Sequence, residues 1–287
     1  MYVILGKSGY IAEALIRDLK SRSLPHLAWS RSDVDYTNRL DLERSLDNLR
    51  TPLCIINCAG YIGKPNVDAC ESAKADCIEG NILLPMMLSQ LCSAYYDWKY
   101  VHISSGCIYN GYERDFHEYD PPNFDFENGS FYSGSKALAE KVVAQNTENY
   151  YIFRLRIPFD EYTSPRNYLT KLLSYDTLLD AKNSLSHRGD FAKYSIDLIE
   201  QRVPDGIYNI TNKGSVTTRE VVELINEYSP IYREFSFFDS LESFSSGVIA
   251  PRSNCVLDTA NIEQYIKIRT VKEALKASLS KYKYPSL

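Results

Sequence analysis

The sequence lacks several features that would place it in common classes of protein. No apolar run approaches the roughly 18 residues that cross a bilayer, and the chain begins with a strand-like segment rather than a signal peptide, so no membrane partner is expected. The net charge of −5 provides no basic surface for nucleic acid or anionic lipid. The four histidines show no ligand spacing, so no metal site is expected.

The cysteines do not form the pattern of a cross-linked or metal-bound protein. There are seven of them, an odd number, and no two form a C-x-x-C pair. They are typical of small apolar core residues in a reducing compartment, and we expect a cytoplasmic location. No repeat or low-complexity tract is present. The 287 residues suffice for one dinucleotide-binding domain and a smaller appended domain.

The N-terminal segment has the pattern of a dinucleotide-binding turn. A strand-like run, Tyr2-Val3-Ile4-Leu5, leads into Gly6-Lys7-Ser8-Gly9-Tyr10-Ile11-Ala12 and then into an amphipathic helical stretch. Glycines permit a tight turn and a close approach of backbone to pyrophosphate, and the helix N-terminus offers free N–H groups. Ala12 replaces a third glycine that governs only the packing of helix on strand. We therefore predict that a dinucleotide contacts Gly6, Lys7, Ser8, Gly9, Tyr10 and Ile11.

Strand-like and helical segments alternate as far as about residue 157. The strand-like runs are 2–5, 27–29, 53–57, 100–103 and 151–155, and helical periodicity falls around 40–49, 67–95 and 132–145. This alternation is typical of an α/β fold with a doubly wound parallel Rossmann sheet. We predict a dinucleotide-binding domain over residues 1–157, to which part of the C-terminal region returns. Residues 158–287 are expected to form mainly a smaller, substrate-binding domain.

Tyr132 and Lys136 have the spacing of a catalytic acid and its supporting cation. They are four residues apart, so on a helix they lie on one face about one turn apart. A nearby ammonium stabilises phenolate and lowers the tyrosine pKa from its usual value of about 10. Tyr132 is predicted to protonate the oxygen of a carbonyl group whose carbon receives a hydride, and Ser105 supplies a hydroxyl. The spacing alone also fits an exposed helical pair, but the glycine turn upstream favours the catalytic interpretation.

The second strand indicates which dinucleotide is bound. NAD enzymes of this build usually carry an acidic residue about 20 residues beyond the glycine turn, whereas Trp29-Ser30-Arg31-Ser32 has no carboxylate before Asp33. Arg31, helped by Ser30 and Lys7, suits a 2′-phosphate. NADPH is therefore the expected cofactor and NADH the alternative. A solvated loop arginine is the other interpretation of Arg31.

Several blocks of the chain resemble the extended short-chain dehydrogenase/reductases. The general match comprises the glycine turn, Asn57-Cys58-Ala59-Gly60, Ser104-Ser105 and the Tyr132/Lys136 pair. More narrowly, the chain resembles the nucleotide-sugar 3,5-epimerase/4-reductases that complete UDP-L-rhamnose synthesis, represented by the C-terminal half of plant rhamnose synthase. The blocks that carry this narrower resemblance are residues 60–71, 106–108, 122–124, 129–133, 165–171 and 250–254.

The resemblance implies a substrate, UDP-4-keto-6-deoxy-D-glucose, and two reactions in one site. Carbons 3 and 5 flank the C4 ketone, so one carbonyl acidifies their protons and later accepts hydride. By resemblance, Cys107 and Lys171 are the base and acid of epimerisation, whereas Ser105 and Tyr132 act on O4 in both reactions. Without the resemblance, Cys107 would be assigned as a core thiol and Lys171 as a helix-surface lysine. Ser105 stands where the family usually has threonine, and it keeps the hydroxyl.

The remaining candidate site residues also come from the resemblance. The nucleotide sugar is expected to contact Asn123, Ser130, Phe131, Arg166, Asn167 and Arg252, since a guanidinium can clamp a diphosphate with two hydrogen bonds. Besides the glycine turn, the cofactor is expected to contact Ser30, Arg31, Asp35, Cys58, Ala59, Gly60, Tyr61, Asn81, Tyr132 and Lys136. Loop structure is the alternative role for the substrate group. For Asn81 the alternative is a helical amide that satisfies its own backbone.

Two other functions stay open. A reductase alone, resembling dTDP-4-dehydrorhamnose reductase, would leave epimerisation to a separate enzyme, and Cys107 and Lys171 argue against it. A non-catalytic regulatory subunit that binds a dinucleotide needs no proton donor, so intact Ser105, Tyr132 and Lys136 argue against that function. The carrier nucleotide is either UDP or dTDP. The resemblance implies a homodimer, and the absence of a dehydratase domain implies that a separate 4,6-dehydratase supplies the substrate.

Overall fold

Strands and helices alternate along the first half of the chain in the computed structural model, which describes residues 1–49, 52–229 and 232–282. The strands are β1 (Tyr2–Leu5), β2 (His26–Trp29), β3 (Cys54–Asn57), β4 (Lys99–Ser105), β5 (Tyr150–Leu155), β6 (Pro158–Phe159), β7 (Thr177–Leu178), β8 (Ser186–His187), β9 (Gly206–Asn209) and β10 (Ser236–Phe237). The helices are α1 (Tyr10–Ser21), α2 (Arg39–Asp47), α3 (Ala69–Ser72), α4 (Lys74–Ile78), α5 (Leu84–Ser93), α6 (Phe131–Asn146), α7 (Tyr168–Ser174), α8 (Arg188–Glu200), α9 (Thr218–Tyr228), α10 (Leu241–Ser245), α11 (Ala260–Glu263) and α12 (Val271–Leu279).

The main sheet has six parallel strands in the order β2-β1-β3-β4-β5-β9. All four residues of β1 and of β3 are buried, as expected of strands that are covered by helices on both faces. The order reverses direction at β1, which leaves a crevice at the carboxyl ends of β1 and β3. The predicted α/β class with a doubly wound parallel sheet is confirmed.

The sixth strand of this sheet comes from the C-terminal region and was not predicted from the sequence. β9 has four residues, and two of them are only half-buried, so its apolar pattern is weak. Helix α8 packs against α1, and Phe191 and Ile196 of α8 share a core cluster with Leu15 and Leu19 of α1. The division into domains at residue 157 stays a prediction. Residues 230, 231 and 283–287 of its second part lie outside the described residues.

The long helical stretch predicted near residues 67–95 is broken into pieces. Ala73 separates α3 from α4 with a non-helical conformation, φ −102° and ψ 53°. A π-helical turn at Glu79–Leu83 then joins α4 to α5, which has a proline in its first turn. Such turns occur frequently at functional sites. The π-helical turn contains Asn81, a predicted cofactor residue.

A buried ion pair joins α6 to the sheet. The guanidinium of Arg154 on β5 lies 2.6 Å from the Glu140 carboxylate of α6, and both side chains are almost completely buried. Nη1 of Arg154 donates to the Tyr109 hydroxyl at 3.0 Å and to the Glu118 carbonyl at 3.2 Å. Ser104 on β4 donates to the same carboxylate. Helix α6 is therefore held against β4 and β5 by a hydrogen-bonded network.

A second, smaller core lies beyond the sheet. It combines residues of α7, α9 and α12, including Leu169, Leu172, Val221 and Leu275. Two short parallel pairs, β6 with β8 and β7 with β10, border it. This core supports α7, the helix that carries Lys171.

We expect Arg154→Leu to lower the free energy of unfolding by about 3–5 kcal/mol, because the Glu140 carboxylate would stay buried without its partner. The double variant Glu140→Gln/Arg154→Leu should recover part of that loss, as measured by urea denaturation. Arg39→Leu is the control, since Arg39 pairs with Glu43 at the surface and its loss should change stability by less than about 0.5 kcal/mol. Equal effects of the two single variants would contradict a stabilising role for the buried pair.

Candidate active site

Two cavities are lined by most of the predicted site residues. A cavity of about 870 Å³ lies at the glycine turn, and a second cavity of about 410 Å³ lies between α6 and α7. Among the predicted residues, the first is lined by Gly6, Ser8, Gly9, Arg31, Cys58, Ala59, Gly60 and Tyr61. The second is lined by Cys107, Ser130, Tyr132, Arg166, Lys171 and Arg252. We call them the glycine-turn cavity and the α6/α7 cavity.

The glycine turn is built for close backbone contact. Gly6 has φ +82°, and a Cβ placed on it would lie 2.9 Å from the backbone nitrogen of Ala59. Gly9 precedes α1 in an extended conformation with no side-chain cap, so the first N–H groups of α1 have no capping oxygen from that residue. The turn therefore presents backbone donors to the glycine-turn cavity. These features fit a pyrophosphate group.

The residues predicted to assist Arg31 have other contacts. Lys7 forms an ion pair with Asp33 at 2.7 Å, and Ser30 donates to the same carboxylate through its backbone and hydroxyl groups. The hydrogen bond from Lys7 and those from Ser30 lower the pKa of Asp33. Asp35, another predicted cofactor residue, accepts hydrogen bonds from Thr37. Of this group, Arg31 is the residue that lines the glycine-turn cavity.

Two further residues of the glycine turn are held within the protein. The Tyr10 hydroxyl donates to Asp160 at 3.0 Å, and the guanidinium of Arg188 lies 4.0 Å from the centre of the Tyr10 ring. Ile11 packs against the main hydrophobic core. Both side chains support the turn through their packing.

Asn81 clamps the loop that follows β3. Its amide oxygen accepts from the Tyr61 backbone nitrogen at 2.8 Å, and its amide nitrogen donates to the Tyr61 carbonyl at 2.8 Å. The same nitrogen lies 3.0 Å from the Ser135 hydroxyl on α6 and 3.2 Å from the Cys77 sulfur. The amide of Asn81 thus forms hydrogen bonds with the backbone of Tyr61 rather than with the backbone of its own helix. It sets the position of the 58–61 loop, which lines the glycine-turn cavity.

Tyr132 lies in the first turn of α6, with its phenol beside Ser105 and Cys107. The Ser130 hydroxyl caps this helix by accepting from the Ser133 backbone nitrogen at 3.1 Å. Burial, followed by the neighbouring Cys107 thiol, raises the pKa of Tyr132, and the hydrogen bond with Ser105 opposes this shift. The predicted lowering of the Tyr132 pKa by Lys136 is therefore wrong for this structure. Tyr132 keeps its proton at neutral pH and can act as a donor.

The ammonium group of Lys136 has two hydrogen-bond acceptors. Its Nζ donates to the Ile103 carbonyl at 2.8 Å and lies 3.1 Å from Nε2 of His102. The side chain is 6% exposed, and burial lowers its pKa to about 8. The ammonium form consequently prevails at neutral pH and is lost as the pH rises through about 8.

Cys107 and Lys171 face the same cavity from different elements. Cys107 follows β4 in a 3₁₀ turn, is half-buried, and accepts from Nη1 of Arg156 at 3.7 Å. Lys171 lies on α7, and burial, followed by the charges of Arg166 and Arg252, lowers its pKa. A thiol and an amine therefore border one space together with the Tyr132 phenol.

The residues predicted to bind the nucleotide sugar divide into two groups. Arg166, Arg252 and Ser130 line the α6/α7 cavity, and Arg252 is oriented by a two-contact ion pair with Asp68 at 2.8 and 3.0 Å. Asn123 instead exchanges hydrogen bonds with the backbone of Asn110.

The other two predicted residues are also engaged inside the protein. Asn167 is completely buried, caps α7 and donates to Asp160 and to the Tyr162 carbonyl. Phe131 packs against Phe126, with ring centroids 5.1 Å apart, and its backbone nitrogen donates to Glu71. The loop-structure alternative accounts for the contacts of Asn123 and Asn167.

Arg156 was missed by the sequence analysis. It is 1% exposed, lines the α6/α7 cavity and contacts Cys107, Asn183 and Ser253. Its position directly after β5 was an available signal, because ligands of parallel sheets bind outside the carboxyl ends of the strands. Within the described ranges, no cluster of histidine, cysteine and carboxylate side chains could hold a metal ion. In the same ranges, no helix combines the length and apolarity needed to cross a bilayer.

Comparison with known proteins finds a family profile that matches this chain. The profile of the RmlD substrate binding domain matches residues 1–284. A bifunctional dTDP-4-dehydrorhamnose 3,5-epimerase/dTDP-4-dehydrorhamnose reductase of Arabidopsis thaliana is 31% identical over 284 residues, which cover 96% of this chain and 90% of the relative. A trifunctional UDP-glucose 4,6-dehydratase/UDP-4-keto-6-deoxy-D-glucose 3,5-epimerase/UDP-4-keto-L-rhamnose-reductase of the same plant is 29% identical over 293 residues. That match covers 99% of this chain and 41% of the relative.

Solved structures share the fold. The L780 UDP-rhamnose synthase of Acanthamoeba polyphaga mimivirus superposes with a TM-score of 0.89 at 23% identity and covers 98% of each chain. A dTDP-4-dehydrorhamnose reductase of Bacillus anthracis in complex with NADP superposes with a TM-score of 0.82 at 19% identity. That alignment covers 96% of this chain and 97% of the other.

Proposed function

The chain belongs to the RmlD substrate binding domain family, and from that premise we propose that it is an NADPH-dependent nucleotide-sugar 4-reductase that also catalyses 3,5-epimerisation. The proposed reaction converts UDP-4-keto-6-deoxy-D-glucose to UDP-L-rhamnose. The observation that carries this proposal is the meeting of Tyr132, Cys107 and Lys171 in one cavity. Reduction alone would need the first of these side chains, and epimerisation would need the other two.

The glycine-turn cavity suits a dinucleotide. Its backbone donors at the start of α1 suit a pyrophosphate, and Arg31 at its edge suits a 2′-phosphate. The relative from Bacillus anthracis was solved with NADP, which supports the same choice here. When bound, the reduced nicotinamide would supply the hydride. The role of this chain is to bind the cofactor, to exclude water and to provide the proton.

The α6/α7 cavity suits an anionic sugar nucleotide. It is lined by four cationic side chains, those of Arg156, Arg166, Lys171 and Arg252, and guanidinium groups match the geometry of phosphate oxygens. The glycine-turn cavity is lined by residues from 6 to 87, whereas the α6/α7 cavity is lined mainly by residues from 156 to 254. This distribution supports our proposal that the region up to residue 157 binds the cofactor and the region beyond it mainly binds the substrate.

The acid–base groups are suited to both reactions. Tyr132, with its raised pKa, keeps a proton that it can give to O4 as hydride arrives at C4, and the Ser105 hydroxyl holds the same oxygen. During epimerisation the two hydroxyl groups would stabilise the enolate oxygen. Cys107 would remove a proton from carbon, with the Arg156 charge beside the sulfur. Lys171, whose pKa is lowered, would return a proton to the opposite face.

We expect Tyr132→Phe to reduce the rate of keto-sugar reduction by about a hundred- to ten-thousandfold, because the general acid is lost. NADPH should still bind, as measured by its fluorescence in a titration. Tyr119→Phe is the matched control, since Tyr119 is 89% exposed and its change should leave the rate of NADPH oxidation unaltered. Wild-type turnover by Tyr132→Phe would remove Tyr132 from the mechanism.

We expect Arg31→Ala to raise the Michaelis constant for NADPH by about ten- to a hundredfold, because one charge-assisted contact to the 2′-phosphate is lost. The Michaelis constant for NADH should change little, and both are measured by steady-state kinetics. Arg44→Ala provides the control, because this arginine lies on the exposed face of α2. Equal effects of Arg31→Ala on the two cofactors would show that Arg31 does not select between them.

We expect Cys107→Ser to stop deuterium from D₂O entering C3 and C5 of the keto sugar, because a serine hydroxyl is a much weaker acid than a thiol. The variant should still oxidise NADPH when it is given the epimerised keto sugar. Lys171→Met should lose rhamnose formation, since it keeps the aliphatic stem without a proton to give. Exchange is measured by mass spectrometry and NMR.

The matched control for Lys171→Met is Lys20→Met, at an exposed position in the last turn of α1. If either site variant exchanged deuterium at the wild-type rate at both carbons, that residue would have only a structural role. The reductase-only function would then be the better description of the chain.

A further inference from the structure

His102 is a buried titratable residue for which the proposed reaction has no role. It lies in the middle of β4 and is 0% exposed. Its Nε2 is 3.1 Å from Nζ of Lys136. Within residues 1–49, 52–229 and 232–282, its other ring nitrogen, Nδ1, has no hydrogen-bond partner.

The neighbouring ammonium determines the tautomer of this ring. An ammonium group can only donate, so Nε2 has to accept and the ring proton resides on Nδ1. Burial and the charge of Lys136 hold the pKa of His102 well below its ordinary value, so the ring stays neutral. This buried N–H group consequently has no acceptor among the residues that the structure describes.

An unsatisfied buried N–H group lowers stability, and native proteins contain few of them. An apolar side chain at position 102 would remove this cost. Packing alone would therefore favour an apolar side chain at this position. The contact with Lys136 is what an apolar side chain at position 102 could not provide.

The geometry at Lys136 shows what that contact can do. Its Nζ has three N–H groups, of which the Ile103 carbonyl accepts one at 2.8 Å and Nε2 of His102 accepts another. Because an ammonium is tetrahedral, two fixed hydrogen bonds also fix the direction of the third. We propose that His102 is a positioning residue, which acts with the Ile103 carbonyl to aim the third N–H of Lys136 at the cofactor and Tyr132. This inference rests on the proposed function, with Lys136 as the cofactor-contacting cation that the sequence predicts.

The other ionisable groups around Lys136 act on its charge from a distance. Glu140, Cys77 and Cys58 favour the ammonium, and burial opposes it more strongly, which brings the pKa to about 8. Tyr132 lies four residues before Lys136 on α6. Loss of the His102 acceptor should lower the pKa of Lys136 further, because a hydrogen bond to the charged form would be removed. Activity that needs the ammonium should then be lost at a lower pH.

His102→Leu tests this role through the pH dependence of keto-sugar reduction. We expect its kcat to fall about ten- to a hundredfold, as for the loss of a hydrogen bond to a charged group, and the alkaline decline in kcat to begin at a lower pH. Its Tm should stay equal or rise by up to about 4 °C, because the unsatisfied N–H group is gone. His102→Gln, which can offer an amide oxygen in place of Nε2, should keep the wild-type pH profile.

Two further variants make the result decisive. His26→Gln is the matched control for loss of a histidine, since His26 contacts the Leu24 carbonyl, and it should change neither kcat nor Tm. His102→Met repeats the apolar substitution with a flexible side chain where leucine does not pack. Unfolding of both apolar variants, or a wild-type kcat and pH profile in either, would overturn the positioning role.

The proposed function is tested separately in the same assays. If Lys136→Met reduced the keto sugar at the wild-type rate, the proposed role of Lys136 would fail. If Lys136→Met were inactive while His102→Leu retained the wild-type pH profile, only the inference about His102 would fail. The two failures therefore give different results.

Discussion

The ion pair between Arg154 and Glu140 holds together the elements that form the site. Two opposite charges away from water are stable only when each hydrogen-bonding group finds a partner. Here Ser104, Tyr109 and the Glu118 carbonyl provide those partners. The network joins β4, β5 and α6. It therefore brings the Tyr132 phenol on α6 close to the Ser105 hydroxyl and the Cys107 thiol at the end of β4.

A second buried network connects the two cavities. Asp160 accepts hydrogen bonds from the Tyr10 hydroxyl and the Asn167 amide, both at 3.0 Å, and pairs with Arg188. Tyr10 belongs to the glycine turn, whereas Asn167 caps the helix that carries Lys171. The glycine turn and α7 are therefore joined by one carboxylate. This explains why Tyr10 and Asn167, both predicted as ligand contacts, are engaged inside the protein.

Burial changes the two members of the Tyr132/Lys136 pair in opposite directions. Taking each group out of water penalises its charged form, so the pKa of the phenol rises and that of the amine falls. Tyr132 is then a protonated donor and Lys136 a cation close to its titration point. The expected lowering of the Tyr132 pKa considered only the charge of a neighbour. Desolvation is the larger effect in this cavity.

The local pattern of residues was enough to predict the glycine turn, the first five strands of the sheet, the α/β class and the candidate reductase residues. These features depend on short-range periodicity and on glycine at positions such as Gly6, which the printed sequence displays directly. β9, the role of Arg156 at the cavity and the contact between His102 and Lys136 depend on contacts between distant segments. The four residues of β9 have a weak apolar pattern, which does not predict a strand that pairs with β5. Likewise, His102 has no sequence pattern that predicts its contact with the Lys136 amine. Desolvation and long-range pairing exist only once the chain has folded. Only the tertiary structure could therefore decide which predicted residues line the cavities and which are hydrogen-bonded or packed inside the protein.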